Sequence, residues 1–187
     1  MKLALSAASD AELADLARAG RQEAYRELLD RHREAVFRLV RATTNNPDEA
    51  LDITQEAFVA AFAALNRYDR DRPFAAWIKR IALNKCRDWA RRRAVRSFFT
   101  RAAPLEEALA ASDTAAPADV QAADRAELAK VTAAIAKLPA RLREVLLIRT
   151  IDGLNQVETA ELLGISEKTV ETRLYRARAK LREMLGV

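Results

Sequence analysis

The 187-residue sequence predicts an all-α fold: two helical domains joined by a flexible acidic linker, with a helix-turn-helix in the C-terminal domain. Three observations predict it. Glycine (4) and proline (5) are scarce while helix-favouring Ala, Leu, Arg and Glu are abundant. Apolar residues recur at three- and four-residue steps, and an acidic stretch separates two basic parts. We expect the domains at 1–98 and 123–187, with the linker at 99–122.

Composition argues against several classes of protein. The single cysteine, Cys86, excludes an intrachain disulfide and borders an apolar stripe, so we expect it to be buried. One histidine, no glycine-rich phosphate loop and no metal-ligand spacing argue against an enzyme, a cofactor or a metal site. The start lacks a signal-peptide core and no span approaches transmembrane length, so a cytoplasmic protein without membrane insertion is expected.

The first three helices are marked by their ends. Ser9 or Asp10 can cap a short first helix that Gly20 stops. A longer helix follows and carries His32, for which a packed role is expected because no second ligand or thiol partner is in evidence. Pro47, after a break in the apolar pattern, suits the first turn of a third helix.

The third helix carries an acidic stripe. Asp48, Asp52, Gln55 and Glu56 fall at i, i+4, i+7 and i+8, away from the apolar positions. The helix dipole favours acids in the first turn, which explains Asp48 but not Glu56. On an otherwise basic protein, this stripe predicts contact with a basic protein partner.

A basic helix comes next, in residues 72–93. One face is apolar (Phe74, Trp77, Ile78, Ile81, Trp89), and we interpret its tryptophans as buried scaffold. Another face, at i, i+4, i+7 and i+11, carries Arg80, Asn84, Arg87 and Arg91. A solvated basic face is the ordinary interpretation of such a pattern. However, residues 66–96 hold eleven lysines and arginines against three aspartates, with Tyr68 among them, which favours nucleic-acid binding.

Residues 103–129 change character, with six acids and one arginine. Pro104 and Pro117 predict a linker with at most short helices. A soluble tether is the ordinary interpretation of such a segment. A nucleic-acid mimic resting in a basic channel is the alternative, and the sequence leaves it open.

The second domain contains the helix-turn-helix pattern. Asn155 and Glu158 form a capping box, Ala160 is small at a helix contact, Gly164 supplies the turn and Ser166 caps the next helix. The spacing of these signals predicts a recognition helix from Glu167 toward Leu185, rich in arginine and lysine.

These patterns together resemble the extracytoplasmic-function (ECF) group of sigma factors of bacterial RNA polymerase, from about residue 11 to residue 185. The family's D-x-x-Q-E pattern appears as Asp52, Gln55 and Glu56, and its F-x-x-W-[IL]-x-R-I-A-x-N pattern matches residues 74–84. The second domain matches at Leu138-Pro139, Asp152-Gly153-Leu154, Leu163-Gly164-Ile165-Ser166 and Thr169-Val170. A lone helix-turn-helix is weak support, whereas two matched domains in order are strong support.

The resemblance implies a role for each surface. The acidic residues Asp52, Gln55 and Glu56 would dock on the β′ clamp helices of core RNA polymerase, whose β flap is a further expected contact. The promoter DNA contacts at the −10 element would be Ala64, Arg67, Tyr68, Arg80, Asn84, Arg87 and Arg91. Those at the −35 element would be Lys168, Thr169, Glu171, Thr172, Arg173, Tyr175 and Arg176. An anti-sigma factor that covers both domains is expected to inhibit the protein.

Glu171 departs from the family, which commonly has Lys or Arg there. A carboxylate repels phosphate and can instead accept from a cytosine amine, so the −35 sequence read is open. The rival class is a helix-turn-helix transcriptional regulator with a helical sensor or partner-binding domain. It explains the second domain equally well but not the acidic stripe followed by a basic, aromatic-rich helix.

Overall fold

The computed structural model describes residues 5–101 and 120–186, with side chains at 5–96 and 125–186. Its regular elements are helical, which confirms the all-α prediction. The α-helices are α1 (Asp10–Arg18), α2 (Gln22–Thr44), α3 (Pro47–Ala63), α4 (Phe74–Arg101), α5 (Val120–Lys137), α6 (Ala140–Thr150), α7 (Gln156–Leu163) and α8 (Glu167–Leu185). A short 3₁₀ helix, Leu65–Arg67, follows α3.

The helix starts of the first domain follow their sequence signals. Ser9 caps α1, and its backbone N–H donates to the Glu12 carboxylate at 2.7 Å, which closes a capping box. The Asn46 side chain caps α3 with Pro47 in its first turn. Between α2 and α3, Asn45 adopts the left-handed conformation (φ 53°), so the chain turns there without a glycine.

Helices α1–α4 enclose one apolar core. Its largest fully buried side chains include Leu13, Leu28, Val36, Phe74 and Ile78. Cys86 and Trp89 are buried as predicted, at 2% and 7% exposure. Trp77 is only partly buried. His32 has the expected packed role: its ring lies against Phe74 and its Nε2 is 2.8 Å from an Asp10 carboxylate oxygen.

The second domain confirms each predicted element of the helix-turn-helix. The Asn155–Glu158 capping box starts α7, Gly164 ends it in the left-handed conformation (φ 65°), and Ser166 caps α8. Ala160 and Val170 pack with Val145 of α6. Packing of small and branched side chains against α6 therefore sets the position of the recognition helix.

Helices run into both ends of the predicted linker. Helix α4 continues to Arg101 and α5 begins at Val120, so the expectation of at most short helices is wrong for 120–129. Four alanines, with one glutamine, one arginine, one glutamate and one leucine, make up most of that part of α5, and all of them are good helix formers. Residues 102–119 lie outside the described part, so the linker at 99–122 and its proposed nucleic-acid mimicry remain predictions.

The two domains share a buried apolar cluster. Leu39 and Leu83 of the first domain meet Leu147, Ile148 and Leu162 of the second. Each of these side chains is at most 3% exposed. Because Leu83 lies on α4 beside Asn84, this contact brings the second domain against the outer side of the basic helix.

Candidate polymerase-docking and DNA-binding surfaces

The acidic stripe forms an exposed face of α3. Asp52, Gln55 and Glu56 all lie on the surface, while Ile53 and Phe58 point into the core. An amphipathic helix places these two sets on opposite sides. The three side chains are therefore together and accessible, which is the geometry that docking on a protein surface requires.

Three neighbours of the acidic stripe escaped the sequence interpretation. Lys85 Nζ lies 3.3 Å from a Glu56 carboxylate oxygen, so one cation from α4 enters the acidic face. Leu51 and Val59 are 53% and 70% exposed. Exposed aliphatics beside charges are typical of protein contact surfaces, and their spacing of eight residues on α3 was the available signal.

The four residues of the predicted basic face lie in different environments. Arg80 and Asn84 are exposed, and Arg91 pairs with Asp88 of its own helix at the surface. Arg87 is partly covered by the second domain. The face that the sequence places along one side of α4 is therefore divided between solvent and an interdomain contact.

Arg87 makes a two-pronged ion pair with Glu144 of α6. Its Nε and Nη2 donate to the two carboxylate oxygens, each at 2.7 Å, and its Nη1 donates to Asn84 Oδ1 at 2.8 Å. The Glu144 side chain is only 3% exposed. Its hydrogen bonds raise the pKa of Arg87 further, so the guanidinium stays charged. In this arrangement Arg87 and Asn84, which were both predicted to contact DNA, each have a hydrogen-bond partner within the protein.

A second ion pair lies at the same interface. Lys79 Nζ donates to Asp152 Oδ1 at 2.7 Å, and the two side chains are 12% and 5% exposed. Asp152 Oδ2 is buried and makes no hydrogen bond to the described residues. Beside this ion pair, the turn of the helix-turn-helix packs against Arg80. A Cβ atom added at Gly164 would lie 2.9 Å from Arg80 Nη2. The interface is thus built from apolar, ionic and close backbone contacts.

The loop before α4 holds Tyr68 in a buried position. Tyr68 is 5% exposed, its hydroxyl donates to the Arg72 carbonyl oxygen at 2.7 Å, and its ring packs against Phe74 and Trp77. Burial raises the pKa of the phenol, which remains neutral. Arg67 is exposed and Ala64 caps the end of α3. Little of the Tyr68 side chain is therefore accessible in this arrangement, and what is accessible borders the cavity between the loop and the second domain.

A cavity of about 320 Å³ lies between the loop and the second domain. Trp77, Pro73 and Arg80 line it from one side, and Leu154 and Leu162 line it from the other. Trp77 therefore packs on the first-domain core and also borders a space between the domains, whereas the prediction has both tryptophans as buried scaffold.

The recognition helix presents its predicted contacts to solvent. Lys168, Glu171, Tyr175 and Arg176 are exposed, while Thr169, Thr172 and Arg173 are partly exposed. Lys168 Nζ lies 3.2 Å from the Glu171 carboxylate, so the acid that departs from the family pattern has a cation beside it. Lys168 precedes Glu171 by three residues, so this ion pair could have been predicted from the i, i+3 spacing on a helix.

The described residues were also searched for metal-binding groups and membrane-spanning helices. No group of three His, Cys, Asp or Glu side chains among them is placed to hold a metal ion. No described helix is long and apolar enough to cross a membrane. The surfaces above are suited to binding macromolecules through charge and shape.

Comparison with known proteins matches both domains to families. Residues 28–96 match Sigma-70 region 2, and residues 128–181 match Sigma-70, region 4. The chain is 42% identical over 181 residues to the RNA polymerase sigma factor CnrH of Cupriavidus metallidurans, covering 95% of this chain and 94% of that protein. It is 32% identical over 172 residues to the ECF RNA polymerase sigma factor SigW of Bacillus subtilis, covering 89% and 91%.

Solved structures agree with the sequence comparison. The structure of CnrH in complex with the cytosolic domain of CnrY superposes with a TM-score of 0.69 at 37% identity, covering 95% of this chain and 97% of that one. The sigma factor RpoE of Bartonella quintana, in complex with the anti-sigma factor NepR, shares the fold at 21% identity, with a TM-score of 0.66 and coverage of 87% and 97%. Two sigma regions in order support a sigma factor over the rival helix-turn-helix regulator with a helical sensor or partner-binding domain. The chain belongs to the ECF group of RNA polymerase sigma factors.

Proposed function

We propose that each exposed surface of this sigma factor has a separate task in transcription initiation. The face of Asp52, Gln55 and Glu56 binds the β′ clamp helices of core polymerase, and the second domain contacts the β flap. Residues of α4 and its preceding loop read the −10 element, and α8 reads the −35 element. The protein works in the cytoplasm by binding, without catalysis or a cofactor.

The main support for the proposal is that the exposed acidic face of α3 lies beside the basic helix α4. The ion pair between Glu56 and Lys85 joins the two faces, so a polymerase bound at α3 would hold DNA along α4. Charge complementarity of this kind steers partners and fixes their orientation. On α8, Arg173 and Arg176 lie one turn apart, which suits them to phosphates or guanine edges.

An anti-sigma factor is the proposed inhibitor. CnrH, which shares 37% of its sequence with this chain in the structural alignment, has been solved with the cytosolic domain of CnrY. That likeness supports a protein partner for this chain. The domain limits of 1–98 and 123–187 are part of the proposal, and the family matches at residues 28–96 and 128–181, which lie within them, support it.

In vitro transcription tests the proposal. Purified protein and core polymerase, supplied with a set of genomic promoter fragments, should give initiation that neither component gives alone. The protein alone should bind duplex promoter DNA weakly. Tight binding of duplex DNA by the protein alone, together with no initiation from any fragment, would contradict the proposal.

Charge reversal tests the docking face. Asp52→Lys combined with Glu56→Lys should lower affinity for core polymerase by about 100-fold or more, because like charges across an interface cost several kcal/mol. The matched control, Asp30→Lys with Glu34→Lys, makes the same charge change at exposed positions of α2. Both proteins should keep their unfolding midpoints. Equal affinities for the two variants would rule out the docking assignment.

A further inference from the structure

The cavity between the loop before α4 and the second domain has a mainly apolar wall. The rings of Tyr68 and Trp77 pack together, with centroids 5.2 Å apart, and border the cavity from the first domain. Pro73 borders it from the same side, and Leu154 and Leu162 border it from the second domain. The volume of about 320 Å³ lies within the ~300–1,000 Å³ of small-molecule sites, which usually have aromatic and aliphatic walls.

Most charged side chains around this cavity have a partner within the protein. Arg72 Nε lies 3.3 Å from an Asp69 carboxylate oxygen. Lys79 Nζ lies 2.7 Å from Asp152 Oδ1. The Glu158 carboxylate accepts a backbone N–H in the capping box at the start of α7, where the helix dipole favours a negative charge. These groups are therefore less available to a ligand.

Three charged side chains at the cavity make no ion pair or side-chain hydrogen bond to the described residues: Arg67, Arg80 and Glu161. The Arg80 guanidinium lies at the turn of the helix-turn-helix, beside Gly164. A guanidinium offers parallel N–H donors that match the two oxygens of a carboxylate. Two unpaired cations against one unpaired anion favour a negatively charged ligand over a positively charged one.

We propose that this cavity binds a planar aromatic carboxylate, with the ring between Trp77 and the leucines of the second domain and the carboxylate at Arg80. The ring buries apolar surface of both domains and contacts Trp77 in an offset or edge-to-face arrangement. The carboxylate stays at the exposed Arg80, so it pairs with a guanidinium without a large loss of hydration. This binding requires neither DNA nor polymerase.

Saturation-transfer NMR with cinnamate, titrated on the full chain, tests the site. Cinnamamide is the matched probe, because it has the same planar skeleton without the charge. Cinnamate should bind with a dissociation constant of about 1 mM or below, which is modest for a ligand of its size. Cinnamamide should bind about tenfold more weakly, since it lacks the charge-assisted hydrogen bonds. Equal binding of the two probes, or no saturable binding of cinnamate up to about 10 mM, would reject the proposal.

Charge variants locate the bound carboxylate. Arg80→Gln should weaken cinnamate binding about tenfold, and Glu161→Gln should strengthen it, because a like charge beside the cavity is removed. Neither variant should change the affinity for cinnamamide. The matched control is Arg92→Gln, at an exposed position of α4 that does not line the cavity. Equal losses in Arg80→Gln and Arg92→Gln would mean general attraction to a basic protein and would overturn the site. Weaker cinnamate binding in Glu161→Gln would overturn the preference for an anion.

A substitution that fills the cavity locates the ring. Ala75 lies on the cavity wall in the first turn of α4 and is partly exposed, so Ala75→Leu adds volume there with a good helix former. It should abolish the binding of both probes. Ala126→Leu makes the same change at an exposed position of α5 and should leave both affinities unchanged. Equal thermal midpoints of the two variants verify the fold. Cinnamate binding that survives in Ala75→Leu would place the ligand elsewhere and reject the assignment.

Discussion

The two basic helices α4 and α8 differ in what meets their charges. On α8 the cations face solvent, and Tyr175 is 72% exposed. On α4, Lys79 and Arg87 are held by acids that belong to the other domain. A basic helix can thus face a nucleic acid or a carboxylate of its own chain, and its sequence alone does not distinguish the two.

Position in the fold explains the difference. Helix α8 lies on one side of its domain and buries only Val170 and Ala177. Helix α4 packs against α2 and α3 on one side and contributes Leu83 to the shared interdomain cluster on the other. A helix between two apolar surfaces has little face left for solvent.

The largest expected effect is on the exposed helix. Arg173→Ala with Arg176→Ala should lower initiation from a −35-dependent promoter by about 100-fold, since each good base or phosphate contact is worth ~1–3 kcal/mol. The control is Lys180→Ala with Arg182→Ala, farther along the same helix. In vitro transcription measures both. Equal losses of initiation in the two double variants would mean that α8 binds DNA through its overall charge rather than through specific contacts of Arg173 and Arg176.

Alanine substitutions at two glycines test the contact between the second domain and α4. Gly164→Ala and Gly153→Ala both force alanine to φ near +65°, which costs roughly 1–2 kcal/mol. Only at Gly164 would the new Cβ also meet Arg80, because nothing lies within 4 Å of Gly153. Because Arg80 Nη2 ends a flexible and exposed side chain, it can move aside at small cost, so urea unfolding should show similar losses of stability for the two variants. A much larger loss for Gly164→Ala would show that Arg80 is held rigidly against the turn.

Cysteine reactivity tests the burial of α4. Burial raises the pKa of the Cys86 thiol to about 12. A folded pKa above the unfolded value stabilises the protein below about pH 9, and this contribution is lost as the pH rises from there toward 12. At pH 8 native Cys86 should react with a disulfide reagent at least about 100-fold more slowly than an added Lys180→Cys on α8. Comparable rates would show that α4 opens readily.

Local sequence signals predicted the secondary-structure elements but not the contacts between residues that are far apart in the sequence. Asn155, Gly164 and Ser166 act within their own turns, so their spacing specified the helix-turn-helix. Arg87 and Glu144 are 57 residues apart, and periodicity carries no information about such a pair. One signal was present: Glu144 interrupts the apolar series of α6, and a charge in such a series requires a buried partner.

The exposure of the acidic stripe was the most predictable part of the candidate site. Helical spacing places Asp52, Gln55 and Glu56 on one side of α3, and the structure has them exposed. Tyr68 was the least predictable, because its burial depends on Phe74 and Trp77 folding back over a loop. Loop conformations depend on such tertiary contacts more than on local sequence.

The placement of the tryptophans gives the protein a built-in optical probe. Trp77 and Trp89 are its only two, and both lie on α4. Trp89 is buried, whereas Trp77 lines the cavity between the domains, so a change in its hydration would shift the emission wavelength of one residue and leave the other constant. With excitation at a wavelength that tyrosine does not absorb, the tryptophan fluorescence of the unlabelled chain therefore reports on this helix alone.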